Sequence, residues 1–272
     1  MDSTRVKEHF DRIGHFRILI IGRSNAGKTT ILQRVCNTTE LPEIFNANGE
    51  KIDPVIVQGS LERGDHNIED ELIFRSNPGF IFHDSKGFEA GSEDEFKLMK
   101  NFVTDRATTT KLEKRIHVIW FCIPLTESER PVVAAEEKFF NECNTANVPV
   151  IVVLTKADAM ESLAIGKLID QGFTMREAMA RAVELATQLL SEVKARVEKQ
   201  LVGCNYPPKD FLPVFGKIVL TLLHHEDMNK HDTDCGPLLK CTTNALDEME
   251  LQKLVISTQQ VNIVLNIEFA VK

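Results

Sequence analysis

Apolar residues in this chain gather into short, nearly continuous runs, and between the runs they recur at every third or fourth position. The runs are FRILIIG (16–22), FIFHD (80–84), HVIWFCIP (117–124), VPVIVVLT (148–155) and GKIVLTLL (216–223). Strands that are apolar on both faces belong to a sheet covered on both sides, and helical patterns between them supply the cover. The pattern therefore predicts an α/β fold, a three-layer sandwich with a mostly parallel sheet of about six strands. ELIF (71–74) stands before FIFHD across the turn-forming SNPG and predicts an antiparallel hairpin.

The helical stretches are 93–105, 132–143 and an enlarged region at 161–203, in which Met179, Val183, Ala186, Leu190, Val193, Val197 and Leu201 step along one face. Pro207 and Pro208 stop that helix. After 216–223 comes the polar loop HEDMNKHDTDCGP, then helical segments at 237–246 and 247–270, the second with Leu251, Leu254, Val255, Thr258, Val261, Val264 and Leu265 on a stripe. The expected organisation is a leader (1–14), one domain (15–228) and a C-terminal helical extension packed on it (229–272).

The 272 residues carry a net charge of −8, a balance that favours neither a nucleic acid nor an anionic membrane as main partner. The apolar runs are too short to span a bilayer, which needs about 20 residues. Six scattered cysteines with no C-x-x-C pair and no preceding leader read as reduced thiols of an intracellular, cytoplasmic protein. His224, His225, His231, Cys235 and Cys241 lie close in sequence, but their spacings fit no zinc pattern, so loop and helix-cap roles are expected.

Composition is ordinary; the chemistry lies in three short motifs. The first, Gly22-Arg23-Ser24-Asn25-Ala26-Gly27-Lys28-Thr29, matches G-x-x-x-x-G-K-[ST] with a strand before it and a helix after it. Phosphates need many donors converging on a small volume, and backbone N–H groups of a tight loop at a helix N-terminus provide them. In this arrangement Lys28 serves the β- and γ-phosphates, the Thr29 hydroxyl ligates Mg²⁺, and Thr30 begins the helix beside them.

The second motif, Thr155-Lys156-Ala157-Asp158, ends a later strand. A carboxylate at Asp158 accepts from guanine N1–H and the exocyclic amine, which adenine lacks, so GTP is favoured over ATP by about 3 to 6 kcal/mol. The Lys156 stem lies along the base. Asp158 is alternatively a plain helix N-cap, and an ATPase with a coincidental T-K-A-D is the corresponding rival. Between these motifs, Asp84-Ser-Lys-Gly87 has the form D-x-x-G, with Asp84 on Mg²⁺ and the Gly87 N–H sensing the γ-phosphate. In a doubly wound sheet all three meet at one edge.

GRSNAGKT, DSKG and TKAD, in that order, resemble the G1, G3 and G4 motifs of translation-factor-class (Ras-like) P-loop GTPases over roughly residues 15–226. FHDSKGFEAGSEDEF, HVIWFCIPLTESERP and VISTQQVNIVLNIEFAV further resemble uncharacterised fungal G-domain proteins. The resemblance implies a P-loop GTPase fold and Mg²⁺-dependent hydrolysis of GTP to GDP and phosphate.

The chain departs from the family pattern at several points. Phe88 follows Gly87, where many Ras-like enzymes carry a water-orienting glutamine, so intrinsic hydrolysis is expected to be slow, on the order of 10⁻⁴ to 10⁻³ s⁻¹. A homodimer partner, an activating or effector protein, or K⁺ would supply the acceleration. Asn25 in the G-R-[PS]-N-x-G-K form resembles potassium-stimulated GTPases; alternatively it favours the loop's backbone conformation. No threonine occurs from 41 through 103, so Ser60 is the candidate for the switch I hydroxyl and metal ligand, and Arg63 is a solvated loop arginine or a γ-phosphate contact. A fifth motif is expected by position at 222–225. The competing reading is a GTP-dependent interaction module that turns over negligibly.

Overall fold

The computed structural model describes residues 14–52, 67–85, 93–215 and 235–258. Seven strands form one sheet in the order β2-β3-β4-β1-β5-β6-β7. They are β1 (Phe16–Gly22), β2 (Glu43–Phe45), β3 (Glu71–Phe74), β4 (Asn77–Asp84), β5 (Val118–Pro124), β6 (Val150–Thr155) and β7 (Asp210–Pro213). β4, β1, β5, β6 and β7 are parallel, and β2 and β3 add an antiparallel edge. The α/β reading holds, with the sheet one strand larger than expected.

β1, β5 and β6 are buried at every position, so their sequences have no polar alternation to show. ELIF pairs antiparallel with β4 as expected, but the turn is Arg75–Ser76, and Asn77, Pro78 and Gly79 of the expected turn already belong to β4. One strand was not expected. The strand beside β6 is DFLP, 210–213, which buries Phe211 alone and ends in proline, so it looks like a loop; 216–223 lies outside the described residues.

The described helices are α1 (Lys28–Val35), α2 (Glu93–Thr108), α3 (Ala134–Glu142), α4 (Ala159–Asp170), α5 (Met175–Val202), α6 (Gly236–Ala245) and α7 (Met249–Thr258). α5 starts at a capping box: the Thr174 hydroxyl accepts from the Glu177 N–H at 3.4 Å, and the Glu177 carboxylate accepts from the Thr174 N–H at 2.9 Å. The α5 stripe is as expected at Val193, Val197 and Leu201, but in the first half Ala178 and Ala182 are buried while Met179 is 52% exposed. The helix ends at Val202, ahead of the two prolines.

Each sheet face has its own core. Leu19, Ile21, Phe121 and Leu154 pack on one side with residues of α2, α3, α4 and α5. On the other, Phe16, Ile18, Ile20, Phe82 and Trp120 pack with Ile31 and Leu32 of α1 and with Leu238, Leu239, Leu251, Leu254 and Val255 of α6 and α7. The Trp120 indole N–H donates to Thr242 Oγ1 at 3.0 Å, fixing α6 on β5. The three motif-bearing segments thus leave β1, β4 and β6 at the same end of a parallel sheet, where ligands of this architecture bind.

Candidate phosphate- and base-binding site

The loop between β1 and α1 is built by backbone conformations few residues tolerate. Asn25 has φ 58° and Gly27 φ 83°, both left-handed, which asparagine and glycine adopt at least cost. At Gly22 a side chain is sterically excluded: a Cβ would lie 2.6 Å from the Cys122 carbonyl oxygen. α1 begins at Lys28 with no acidic residue in its first turn, leaving the positive end of its dipole uncompensated for an anion. Ser24, Asn25 and Thr30 are exposed, and Thr29 is half-buried.

Lys28 lies over this loop. Its ammonium donates to the Gly22 carbonyl at 3.2 Å and to the Arg23 carbonyl at 3.5 Å, and stands 3.8 Å from Asp84 Oδ1. Asp84 is only 3% exposed. Burial pushes its carboxyl up to about 6, against the opposing pull of Lys28. Among the described residues, neither Asp84 Oδ1 nor the neighbouring Ser85 Oγ, both buried, has a hydrogen-bond partner. Two orphaned oxygens beside a phosphate-type loop fit a hard divalent cation, which takes oxygen ligands.

The Thr155–Asp158 segment is joined to the same loop. Thr155 Oγ1 donates to the Ala26 carbonyl at 2.7 Å, deep in the protein. A Cβ placed on Gly27 would touch Thr155 Cβ at 3.9 Å. Lys156 has φ 55°, a strained conformation for a lysine, of the kind that clusters at functional sites. Asp158 is the N-cap residue of α4 and makes no side-chain cap hydrogen bond. The segment leaving β7 runs alongside: the Val214 N–H donates to Leu154 O at 2.8 Å, and the Ala157 N–H donates to Val214 O at 3.3 Å. Val214 thus runs beside the segment that follows β6.

Arg23 has a different task from its neighbours. Its Nε donates to Glu136 of α3 at 2.9 Å and its Nη2 to the Pro131 carbonyl at 2.8 Å, while the Val133 N–H donates to the same carboxylate at 3.0 Å. Glu136 is fully buried, and burial raises its carboxyl to about 7 despite Val133 and Arg23. Sequence reasoning missed this clamp. Its trace is that Glu136 occupies the apolar face of its helix, in step with Phe139, Phe140 and Cys143, where a carboxylate needs a partner.

Gly87, Phe88, Ser60, Arg63 and 222–225 lie outside the described residues, as do His224, His225 and His231. Cys235, the N-cap of α6, and Cys241, within α6, are buried, and the Cys241 thiol donates to Asp210 Oδ2 at 3.2 Å. No described helix is long and apolar enough to cross a membrane.

Residues 17–156, just over half the chain, match the model of the family described as 50S ribosome-binding GTPase. No curated protein matches.

Proposed function

Since the chain belongs to the 50S ribosome-binding GTPase family, we propose that it binds GTP and GDP at the loop of β1 and hydrolyses GTP with Mg²⁺. Backbone N–H groups from Gly22 to Thr30 hold the phosphates, and Lys28 neutralises them on exchanging its loop carbonyls for phosphate oxygens. Asp158 reads the guanine edge, and Lys156 covers the base. Thr155 holds the two halves together.

Thr29 and Asp84 hold Mg²⁺, joined by Ser60, and Gly87 senses the γ-phosphate. When bound, the ion neutralises charge developing on the phosphate oxygens. The observation that carries this reading is the hydrogen bond from Thr155 to Ala26 with Lys28 beside Asp84, which gathers three segments distant in sequence around one loop.

Phe88 supports slow turnover, because a phenyl ring cannot hold a water. Acceleration by K⁺ at Asn25, by a homodimer partner or by an activating protein completes the reading; the left-handed φ of Asn25 also gives that residue a purely conformational role. The same Phe88 favours a second reading, a GTP-dependent interaction module with negligible hydrolysis. Cytoplasmic residence fits the reduced cysteines. The ribosome binding in the family's description finds no support in this chain's charge of −8.

The test is nucleotide identity in the denatured supernatant of gently purified protein, followed by single-turnover hydrolysis in KCl and in NaCl at rising protein concentration. Bound guanine nucleotide with measurable turnover supports the enzyme. Tight GTP binding without turnover under any condition supports the module, and equal competition by ATP overturns both.

A further inference from the structure

The stretch between β5 and α3 forms one wall of a cleft whose other wall is the end of α5. The cleft has a volume of about 530 Å³ and is lined by Arg130, Pro131, Val132, Arg196, Lys199 and Gln200, with Glu129 as its one carboxylate. Arg196 Nη2 donates to the Ser128 carbonyl at 2.9 Å, tying the two walls. Pro131 and Val132 are buried and give an apolar floor. Three cations against one acid is a local reversal of sign in a chain of net charge −8.

Arg17, Arg23, Arg106 and Arg115 each face a carboxylate. Among the described residues no ion pair engages Arg130 or Lys199. Small inorganic anions are captured where buried donors converge on a point. Here the cations are exposed and strung along an open groove, with Arg196 and Lys199 one turn apart on α5, an arrangement suited to a polymer with distributed negative charge.

One wall also touches the phosphate loop. The Pro131 carbonyl accepts from Arg23, and Arg23 shares Glu136 with the Val133 N–H. A ligand pressing on Pro131 therefore bears on a hydrogen-bond set that includes the loop.

We propose that this cleft docks an acidic segment of a protein partner, with carboxylates on Arg130, Arg196 and Lys199 and an apolar side chain over Pro131 and Val132. Its occupancy shifts the phosphate loop through Pro131 and Arg23. The second clause rests on the nucleotide-binding reading above; the docking does not.

The probe is a fluorescein-labelled peptide of alternating Glu and Leu, titrated with the full chain at low ionic strength without nucleotide. Arg130→Gln with Lys199→Gln weakens binding about tenfold, whereas the charge-matched pair Lys97→Gln with Arg176→Gln, exposed elsewhere, changes it by less than about twofold. Equal loss in both pairs, no binding by the unmodified protein, or displacement by inorganic phosphate as effective as by unlabelled peptide would overturn the docking. So would self-association of the chain that only the cleft pair abolishes, since the occupant is then a second copy.

In the second arm, saturating peptide changes the affinity for fluorescent GDP several-fold, with the reciprocal effect of nucleotide on peptide. Unchanged GDP affinity overturns the transmission. Absence of any nucleotide binding sinks the GTP reading and leaves the docking result standing by itself.

Discussion

Thr155 and Ala26, 129 positions apart in sequence, share a buried hydrogen bond of 2.7 Å. The carbonyl of Ala26 has its donor in the segment proposed to read the base, so that segment and the loop proposed to hold the phosphates are one mechanical unit. Thr155→Val keeps the shape and removes the donor. The expected cost is about 1 to 3 kcal/mol in urea unfolding, the usual penalty for a buried acceptor left without a partner. GDP affinity should fall as well, measured by calorimetry, although the substituted side chain is not proposed to touch the nucleotide.

Asp158→Asn tests base reading. A carboxylate accepts twice, whereas an amide accepts once and donates once. GTP affinity should drop by roughly a hundredfold, about 3 kcal/mol. Xanthosine triphosphate, which carries a carbonyl where guanine has its amine, should bind better than GTP to this variant. Competition against labelled GDP reads both, and an unchanged order of preference would remove Asp158 from the base contact.

Glu136 predicts a pH dependence of stability. Its carboxyl is raised by burial from an ordinary value of 4.5 to about 7 in the folded protein. A folded state that holds the proton more tightly is favoured at low pH, so this group's contribution is fully present below about 4.5 and is lost as pH rises through about 7. The size is on the order of 3 kcal/mol. In Glu136→Gln that component of the slope between pH 4.5 and 7 should vanish, as followed by urea midpoints across the range. A variant with the parent's slope would place the titration elsewhere.

The legibility of this chain followed the kind of signal each element carries. β1, β5 and β6 stand out because nearly every position is apolar, β4 stands out through Phe80, Ile81 and Phe82, and the three motifs follow β1, β4 and β6. β7 was missed because DFLP offers one fully buried side chain and a proline, and its place in the sheet is decided by pairing with β6. On α5 the stripe slipped by one residue in its first half, where alanines do the packing; small buried residues look weak on any hydrophobic pattern.

Within the candidate site, the shape of the loop between β1 and α1 was legible because Gly22, Asn25 and Gly27 answer a local backbone demand. Arg23 looked the same by position, yet its side chain is committed to Glu136, a tertiary fact 113 residues away. The oxygens of Asp84 and Ser85 became interpretable only once burial was known.

Trp120, the sole tryptophan of the chain, gives a built-in optical probe. It is buried and donates to Thr242 of α6. Thr242→Val should cost about 1 to 2 kcal/mol and shift the emission as the indole loses its acceptor. If stability and emission both stay as in the parent, the bond between β5 and α6 contributes nothing measurable.

The shared cluster of α6 and α7 with β1 bears on how the chain is made. Every segment proposed to hold nucleotide has been synthesised by Asp158, but the face of the sheet carrying Phe16, Ile18 and Ile20 awaits Leu238 through Val255 for the rest of its cover. A nascent polypeptide therefore carries an apolar sheet face covered by α1 but still without α6 and α7 through about a hundred further residues of translation, the period in which chaperone capture and misassembly compete with folding.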